Sequence, residues 1–225
     1  MMRIDIITAV PDLLVSPLNT SIIGRAQAKG KVEIHVHNLR DYAHDKHKQI
    51  DDKPFGGGPG MILKPEPFFE CIEKLQSERK YEHIIFTTPK GKIFEQKEAN
   101  RFSLAANIIV IAGHYKEIDD RVREYFATDE ISIGNFVLTG GELPALIIVD
   151  AVVRLIPGVL NDSEAALQDS FQDGEIVETQ YYTRPAEYRG MKVPDVLLSG
   201  NEKQINKWKE EQSKKLTEKW KEYNN

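Results

Sequence analysis

The feature that most restricts the fold of this chain is the alternation of short, β-branched apolar runs with stretches of helical periodicity. Strand-like runs occur at RIDIITA (3–9), VEIHVHNL (32–39), HIIFTT (83–88), NIIVIAG (107–113) and ATDEISIG (127–134). Helical patterns lie at 21–29, 65–79, 95–105 and 117–126. Such alternation predicts an α/β fold in which helices cover a parallel sheet.

The segment from 142 to 157, ELPALIIVDAVVRLIP, is apolar on nearly every side of its predicted helix. A helix of this kind is buried or lies at an interface, which two subunits could share. Asp150 and Arg154 stand four residues apart on it, and one reading is an ordinary helical ion pair. The helix is too apolar for an exposed pair, so the other reading is a buried guanidinium that needs a partner or a ligand.

The apolar pattern lapses from 161 to 176, which predicts a linker between a domain at 1–160 and a second domain at 177–225. Six acids and no Lys or Arg lie within 160–183. The second domain carries a polar, Lys-rich helix from 202 to 223, which cannot bury a large core by itself. We therefore expect a small helical domain after the linker.

Charge and cysteine usage limit the partners and the compartment. The net charge of −5 is evidence against a nucleic-acid partner, but residues 184–225 carry ten Lys or Arg against seven acids. An RNA-binding face would therefore be local and would include this segment.

A single cysteine, Cys71, excludes a disulfide within the chain and lies in an apolar helical pattern, where a packed thiol is expected. No long apolar stretch predicts a membrane helix, so we expect a cytoplasmic, soluble protein.

Glycine-bearing turns follow the predicted strands and indicate a ligand pocket. The segment DDKPFGGGPGM (51–61) has four glycines in five residues but lacks the Gly-Lys-Ser/Thr ending of a phosphate-binding loop. Three further turns, at 87–91, 112–115 and 132–144, fall at strand ends. Each is an ordinary turn when taken alone. Because ligands of open α/β sheets bind beyond the carboxyl ends of the strands, the three together predict one pocket.

The remaining polar residues give weaker signals. No grouping of the histidines matches a metal site, so we predict none. Asp169 reads as a turn or cap residue. Aromatic and cationic residues interleave as they do in RNA-stacking surfaces, although packing at a domain junction would give the same pattern. These residues are Tyr181, Tyr182, Arg184, Tyr188 and Arg189.

Five segments in this order resemble the bacterial tRNA (guanine-N1)-methyltransferases, the TrmD-type members of the SPOUT class. They are HKQIDDKPFGGGPGMILKPEP (47–67), GHY with IDDRV (113–122), SIGNFVLTGGELPALIIVDAVVRLIPGVL (132–160), DSF (169–171) and QYYTRPAEYRGMKVPDVLLSGN (180–201). Together they cover most of the chain with compatible spacing.

The resemblance implies an α/β methyltransferase domain with a deep trefoil knot, a topology that is otherwise nearly absent from proteins. It also implies a homodimer with active sites shared between subunits, and a C-terminal domain that binds tRNA rather than DNA or a membrane. The residues implied to hold S-adenosylmethionine are Thr88, Pro89, Gly113, Tyr115, Ile133, Gly134, Asn135, Phe136, Val137, Leu138, Gly140 and Gly141. A magnesium requirement is implied as well.

The implied reaction methylates N1 of the guanosine just 3′ of the anticodon, position 37 of tRNA, in a single-stranded loop where a base can be unstacked. Asp169 would be the general base, because N1 carries a proton at neutral pH. Arg154 would stabilise the negative charge that develops toward O6. The residues implied to contact tRNA are His47, Asp51, Gly58, Gly60, Arg184, Arg189 and Asn201.

The chain departs from the family pattern at several positions. Lys116 and Glu117 stand where Glu and Gly are usual, and Asn135 stands where Asp is usual. Lys90 and Glu202 replace a common Gln and His. These departures motivate two alternatives, a non-catalytic RNA-binding relative and a methyltransferase of the same fold that acts on another RNA. Retention of both Asp169 and Arg154 favours an enzyme, since a binding protein needs no base.

Overall fold

The computed structural model describes residues 1–160, 169–172 and 174–224, so most of the predicted linker at 161–176 lies outside the described residues. The chain divides into two compact units, with the boundary between residues 163 and 164. In the first unit the strands are β1 (Met2–Thr8), β2 (Val32–Asn38), β3 (Asp51–Asp52), β4 (Ile62–Leu63), β5 (His83–Ile93), β6 (Asn107–Ala112), β7 (Glu117–Ile118) and β8 (Asp129–Ser132). The helices are α1 (Asp12–Asn19), α2 (Ser21–Ala28), α3 (Pro65–Glu78), α4 (Gln96–Ser103), α5 (Asp120–Phe126) and α6 (Glu142–Val153).

Five parallel strands form the central sheet of the first unit, in the order β2-β1-β6-β5-β8. All five correspond to the predicted strand-like runs, and the predicted α/β fold is confirmed. The inner strands β1, β6 and the first half of β5 are paired on both edges and covered on both faces, which explains why their sequences are rich in Ile and Val, whereas the edge strand β2 is mostly half-buried.

Two apolar clusters lie on opposite faces of the sheet, and successive residues of one strand alternate between them. Ile108 and Val110 of β6 belong to the cluster beneath α1, α2 and α6, whereas Ile109 and Ile111 belong to the cluster beneath α3 and α5. Cys71 of α3 is fully buried in the second cluster, and burial raises the pKa of its thiol to about 12. The prediction of a packed thiol is thus confirmed.

Helix α6 is only partly buried in the single chain, which corrects the expectation for Asp150 and Arg154. Its inner face is buried, whereas Leu143 is 52% and Ile147 47% exposed on the other side. Asp150 is exposed, and Arg154 caps the carboxyl end of the helix in a half-buried position. Apolar periodicity could not separate the buried side from the exposed one, because both sides carry large apolar residues.

A second, small sheet in the order β3-β4-β7 escaped prediction, since strands of two residues leave no periodic signal. Residues 53–61, which include the glycine run, connect the antiparallel pair β3 and β4. Strand β7 pairs with β4 in parallel, and α5 therefore begins at Asp120 rather than at the predicted residue 117.

The second unit contains a two-stranded hairpin and two helices within its described residues. These are β9 (Glu187–Tyr188), β10 (Met191–Lys192), α7 (Asp195–Leu198) and α8 (Glu202–Asn224). The Lys-rich helix matches its predicted extent, and it has no fully buried residue in the described part. None of the helices in the described part of the chain is long and apolar enough to cross a membrane.

Asp5, on β1, is a fully buried carboxylate held by three side chains. It accepts hydrogen bonds from Arg3 Nε (2.8 Å) and Tyr81 Oη (2.8 Å), and its Oδ1 lies 2.7 Å from His37 Nε2. Burial alone would raise the pKa of Asp5, but the hydrogen bonds to His37, Arg3 and Tyr81 outweigh it and lower the pKa to about 2.

We expect Asp5→Asn to reduce the free energy of unfolding by about 2 kcal/mol at neutral pH. A carboxylate whose folded pKa is lowered stabilises the fold above its unfolded pKa, and this contribution is lost as the pH falls from about 4 to about 2. Urea denaturation at pH 7 and across that window measures both effects. The exposed Asp41→Asn is the matched control, and equal losses in the two variants would contradict the assignment.

Candidate functional site

The three glycine-bearing turns meet in one pocket, at the carboxyl ends of β6 and β8 and at an irregularity within β5, where the pairing with β8 shifts register between Thr87 and Lys92. The predicted strand end at residue 88 is wrong, because β5 resumes its pairing with β8 and continues to Ile93. The walls of the pocket come from Thr87–Pro89, Gly113–Glu117 and Ile131–Gly134, and from Phe136–Gly141 with Pro144. The prediction that these turns outline a single pocket is confirmed. All residues predicted to hold S-adenosylmethionine line it except Asn135. The pocket mixes apolar walls with open backbone, as sites for small organic ligands do.

Close backbone approaches explain two of the glycines. A Cβ at Gly141 would lie 2.3 Å from Thr87 Oγ1 and 2.7 Å from the amide nitrogen of Gly113. The amide of Gly141 donates to the carbonyl of Gly113 at 2.6 Å, which holds the two turns together. A Cβ at Gly140 would meet the side-chain ends of Glu142 and His114. The pocket floor therefore requires glycine here for close packing.

A buried carboxylate lies beneath these turns, and sequence reasoning did not single it out. Glu142, at the start of α6, is 1% exposed and accepts a hydrogen bond of 2.7 Å from Thr8 Oγ1 at the end of β1. Its Oε2 lies 3.4 Å from Nδ1 of His114, which lines the pocket. Glu142 thus links β1, the turn after β6 and the start of α6. The only feature of the sequence that could have pointed to Glu142 is that it is an acidic residue in the first turn of a helix, where a carboxylate is stabilised by the helix dipole.

Two of the residues that depart from the family pattern, Lys116 and Glu117, line the pocket beside each other. Lys116 is exposed, and its amide donates to the carbonyl of Met61 at 3.1 Å. The Glu117 carboxylate lies 3.0 Å from Lys90 Nζ. Within the described residues, no group of three or more His, Cys, Asp or Glu side chains could hold a metal ion.

Arg154 does not line this pocket. It lines a separate groove between α1, α2 and α6, together with Pro17, Ile22 and Ile147. Helix α6 begins at the pocket, and Arg154 lies ten residues beyond Pro144, the last residue of the helix that lines it; this corresponds to about 15 Å at 1.5 Å per residue. Within one chain, the predicted arginine and the predicted cofactor pocket are therefore apart.

Asp169 belongs to a turn of the second unit that is held by several contacts. The Ser170 hydroxyl accepts from the amide of Glu178 at 2.9 Å, and the Phe171 amide donates to the carbonyl of Ile176 at 2.8 Å. The Phe171 ring lies 5.2 Å from that of Trp220 on α8. The turn is thus part of the packed second unit, and it presents Asp169 in a half-buried position.

The residues predicted to contact tRNA are mostly exposed. His47, Gly58 and Gly60 lie on the surface of the first unit, and Asp51 is half-buried in β3. In the second unit Arg184, Arg189 and Asn201 are all exposed. The Arg189 guanidinium lies 5.3 Å from the ring of the exposed Tyr188. This cationic and aromatic surface is of the kind that contacts unpaired bases.

The fold and the pocket define an α/β protein with a ligand site at the carboxyl ends of parallel strands. The family model for tRNA (guanine-1)-methyltransferase TrmD matches residues 2–223, and the chain belongs to this family. A tRNA (guanine-N(1)-)-methyltransferase of Chlorobaculum tepidum is 56% identical over 216 residues, 96% of this chain and 94% of that protein. The protein of the same name from Bacteroides fragilis is 55% identical over 216 residues, 96% of each chain.

Proposed function

We propose that this chain transfers the methyl group of S-adenosylmethionine to N1 of the guanosine just 3′ of the anticodon of tRNA, in the cytoplasm. Family membership gives the tRNA (guanine-N1)-methyltransferase activity. The observation that carries the cofactor assignment is the convergence of Thr87–Pro89 within β5 and of the turns after β6 and β8 on one pocket. Its apolar walls suit the adenosine part of the cofactor, and its open backbone supplies hydrogen-bonding groups.

The chemistry requires a base, a fixed cation and an electrophilic methyl group. S-adenosylmethionine supplies a methyl group bound to a positively charged sulfur. Asp169 would accept the proton of N1, which frees the electron pair that takes the methyl group, and the sulfur of the bound cofactor would leave as a neutral thioether. Arg154 stabilises the negative charge that grows toward O6, more strongly in the transition state than in the ground state.

We infer that two copies of the chain build each active site. Arg154 lies about 15 Å along α6 from the pocket of its own chain, so a second copy is needed to bring an arginine to that pocket. The exposed side chains of Leu143 and Ile147 continue onto the groove that Arg154 lines. An apolar surface of this kind favours a contact between subunits. The proposal also includes the deep trefoil knot that the resemblance implies for the first unit.

The magnesium requirement implied by the resemblance finds no support in the donors of the pocket. Lys116 presents an ammonium where the family pattern has a carboxylate, and the Glu117 carboxylate is paired with Lys90. Magnesium needs oxygen ligands in octahedral geometry. The described residues do not fit such a site, and the proposed mechanism contains no magnesium-bound step.

The second unit supplies the proposed tRNA-binding domain, over residues 177–225 of the sequence. Its helix α8 carries most of the Lys residues of the basic segment, and Tyr181, Tyr182 and Tyr188 are exposed near Arg184 and Arg189. Lysine and arginine neutralise phosphates, while exposed aromatic rings stack on unpaired bases.

The function is tested by incubating the chain with labelled S-adenosylmethionine and bulk unmethylated tRNA, followed by nucleoside analysis across a magnesium titration. We expect N1-methylguanosine from the wild-type chain. Lys116→Glu is measured in parallel, because it restores the usual carboxylate. If the wild type gives no product at any magnesium level and Lys116→Glu does, the wild-type chain is a non-catalytic relative. Label found in another nucleoside or RNA would identify a different substrate.

A further inference from the structure

Glu142 and His114 are ionisable side chains in contact at the pocket, and the proposed mechanism uses neither. Glu142 is 1% exposed, and a carboxylate removed from water needs groups that donate to it. The Thr8 hydroxyl donates to Oε1 at 2.7 Å, and Thr8 Oγ1 itself accepts from the amide of Val10, which leaves the hydroxyl proton for Glu142. The second oxygen, Oε2, lies 3.4 Å from Nδ1 of His114. The imidazole therefore supplies the second donor to the buried carboxylate.

The imidazole of His114 is held in one orientation by several contacts. Its Nδ1 faces Glu142, and the ring of Tyr115 meets it edge-on, with ring centroids 5.3 Å apart and planes at 85°. The backbone of His114 forms an antiparallel bridge with Gly140. A Cβ at Gly140 would lie 2.6 Å from Nδ1 and 2.2 Å from Glu142 Oε2, so glycine keeps the space open for this contact. The ring is thus fixed relative to the pocket wall.

Contact with a carboxylate decides which imidazole nitrogen carries the proton. An ionised carboxylate only accepts hydrogen bonds, so Nδ1 is the N–H and Nε2 of the neutral ring is an acceptor. Within the described part of the chain, no group donates to Nε2 of His114. His114 lines the pocket, and its Nδ1 is turned toward the buried Glu142. The nitrogen left for a ligand in the pocket is therefore Nε2, as an acceptor.

We propose that Glu142 is a positioning residue that fixes this tautomer, and that Nε2 of His114 accepts a hydrogen bond from bound S-adenosylmethionine. The inference rests on the proposed function, because it takes the cofactor from it. The cofactor has donors in its nucleoside part and an α-ammonium in its amino-acid part. A carboxylate on the far nitrogen orients an imidazole and strengthens the near nitrogen as an acceptor, as it does for imidazoles that bind metals.

A purely structural role of Glu142 predicts a different result from the same substitution. In Glu142→Gln, the amide oxygen can still accept from Thr8, and the amide nitrogen can donate to Nδ1 of His114. The links between β1, the turn after β6 and the start of α6 are then kept. The tautomer is reversed, because Nδ1 becomes the acceptor and Nε2 carries the proton. Glu142→Gln therefore separates holding the fold from setting the tautomer.

The test uses the full-length protein labelled with ¹⁵N in histidine, at mildly alkaline pH where free imidazole is neutral. We expect the wild type to show the Nδ1–H tautomer of His114, with an Nε2 shift that changes on addition of S-adenosylmethionine. Glu142→Gln should show the Nε2–H tautomer. Its calorimetric affinity for the cofactor should fall by about fivefold to a hundredfold, because a donor then faces a donor. His114→Phe assigns the signals by their loss, and it should weaken binding as well.

The donor on the cofactor is identified with 5′-methylthioadenosine, which keeps the nucleoside part and lacks the α-ammonium. A loss in Glu142→Gln that is confined to S-adenosylmethionine assigns the donor to the ammonium. An equal loss for both ligands assigns it to the nucleoside part. Both outcomes support the contact with His114.

Glu98→Gln is the matched control, since Glu98 is also buried, lies on α4 and does not line the pocket. It should bind the cofactor as the wild type does. Wild-type affinity in a Glu142→Gln protein whose tautomer has reversed would overturn the proposal, as would an Nε2–H tautomer or an unchanged Nε2 shift in the saturated wild type. If circular dichroism shows that Glu142→Gln does not fold, the wild-type nitrogen shifts and the affinity of His114→Phe decide. Failure of the proposed function would show as absence of N1-methylguanosine from the wild type, which is a separate measurement.

Discussion

Asp169→Asn is expected to lower the single-turnover rate of methyl transfer by about a hundredfold to ten-thousandfold, the range that a positioned general base contributes. The substitution keeps the size of the side chain and removes its ability to take the N1 proton. Affinity for S-adenosylmethionine should stay within a few fold, because the residues lining the pocket belong to the first unit and Asp169 to the second. Rapid-quench measurement with saturating tRNA and calorimetry with the cofactor separate the two effects.

Ser170→Ala is the control for damage to the turn that carries Asp169. Its hydroxyl accepts from the amide of Glu178, so its loss weakens the turn while the carboxylate remains. We expect a much smaller loss of rate than for Asp169→Asn, with the same fluorescence from Trp220, whose ring contacts Phe171. A near-normal rate in Asp169→Asn would remove Asp169 from the role of base.

The sheet and the pocket were predictable because both depend on local signals. The β-branched run from Ile108 to Ala112 predicts a buried strand, and Gly113 directly after it predicts where that strand ends. Once the strands are parallel, the turns that follow them must share one edge of the sheet. The order of the strands was not required for this conclusion.

Contacts between residues far apart in sequence were not predictable from periodicity. The pairing of Glu117–Ile118 with β4, which brings Lys116 under the glycine run, depends on two-residue strands. The link from Thr8 to Glu142 joins residues 134 positions apart. The half-exposed face of α6 shares its composition with the buried face, so only the positions of α1 and α2 distinguish them. The role of Asp169 came from the resemblance, since its sequence context indicates only a turn.

Arg154→Ala is expected to lower the rate constant of methyl transfer by about a hundredfold to a thousandfold, equivalent to about 3 to 4 kcal/mol for one group that stabilises an oxyanion. Arg154→Lys should recover only part of this, because an ammonium lacks the planar fork of the guanidinium. Arg25→Ala, on the exposed side of α2, is the control for loss of a surface arginine. A change confined to the Michaelis constant for tRNA would make Arg154 a binding residue.

The position of Arg154 at the far end of α6 makes a further test possible. A dimer is prepared from one chain with Arg154→Ala and one chain with Gly140→Val, each carrying its own affinity tag. A Cβ at Gly140 would lie 2.2 Å from Oε2 of the buried Glu142 and 2.6 Å from Nδ1 of His114, so we expect Gly140→Val to disrupt the pocket floor. Circular dichroism and sedimentation of the Gly140→Val homodimer check that it still folds and assembles. Calorimetry of the Gly140→Val homodimer should confirm that the cofactor no longer binds.

If each pocket takes Arg154 from the other subunit, the mixed dimer contains one site with a normal pocket and a normal arginine, and one site that lacks both. It should then show about half the activity of the wild-type dimer, although each parent homodimer is nearly inactive. If Arg154 served the pocket of its own chain, both sites of the mixed dimer would carry one defect, and activity would not recover. That result would contradict the shared site, and Arg154 would then have to act on the pocket of its own chain, about 15 Å away along the helix.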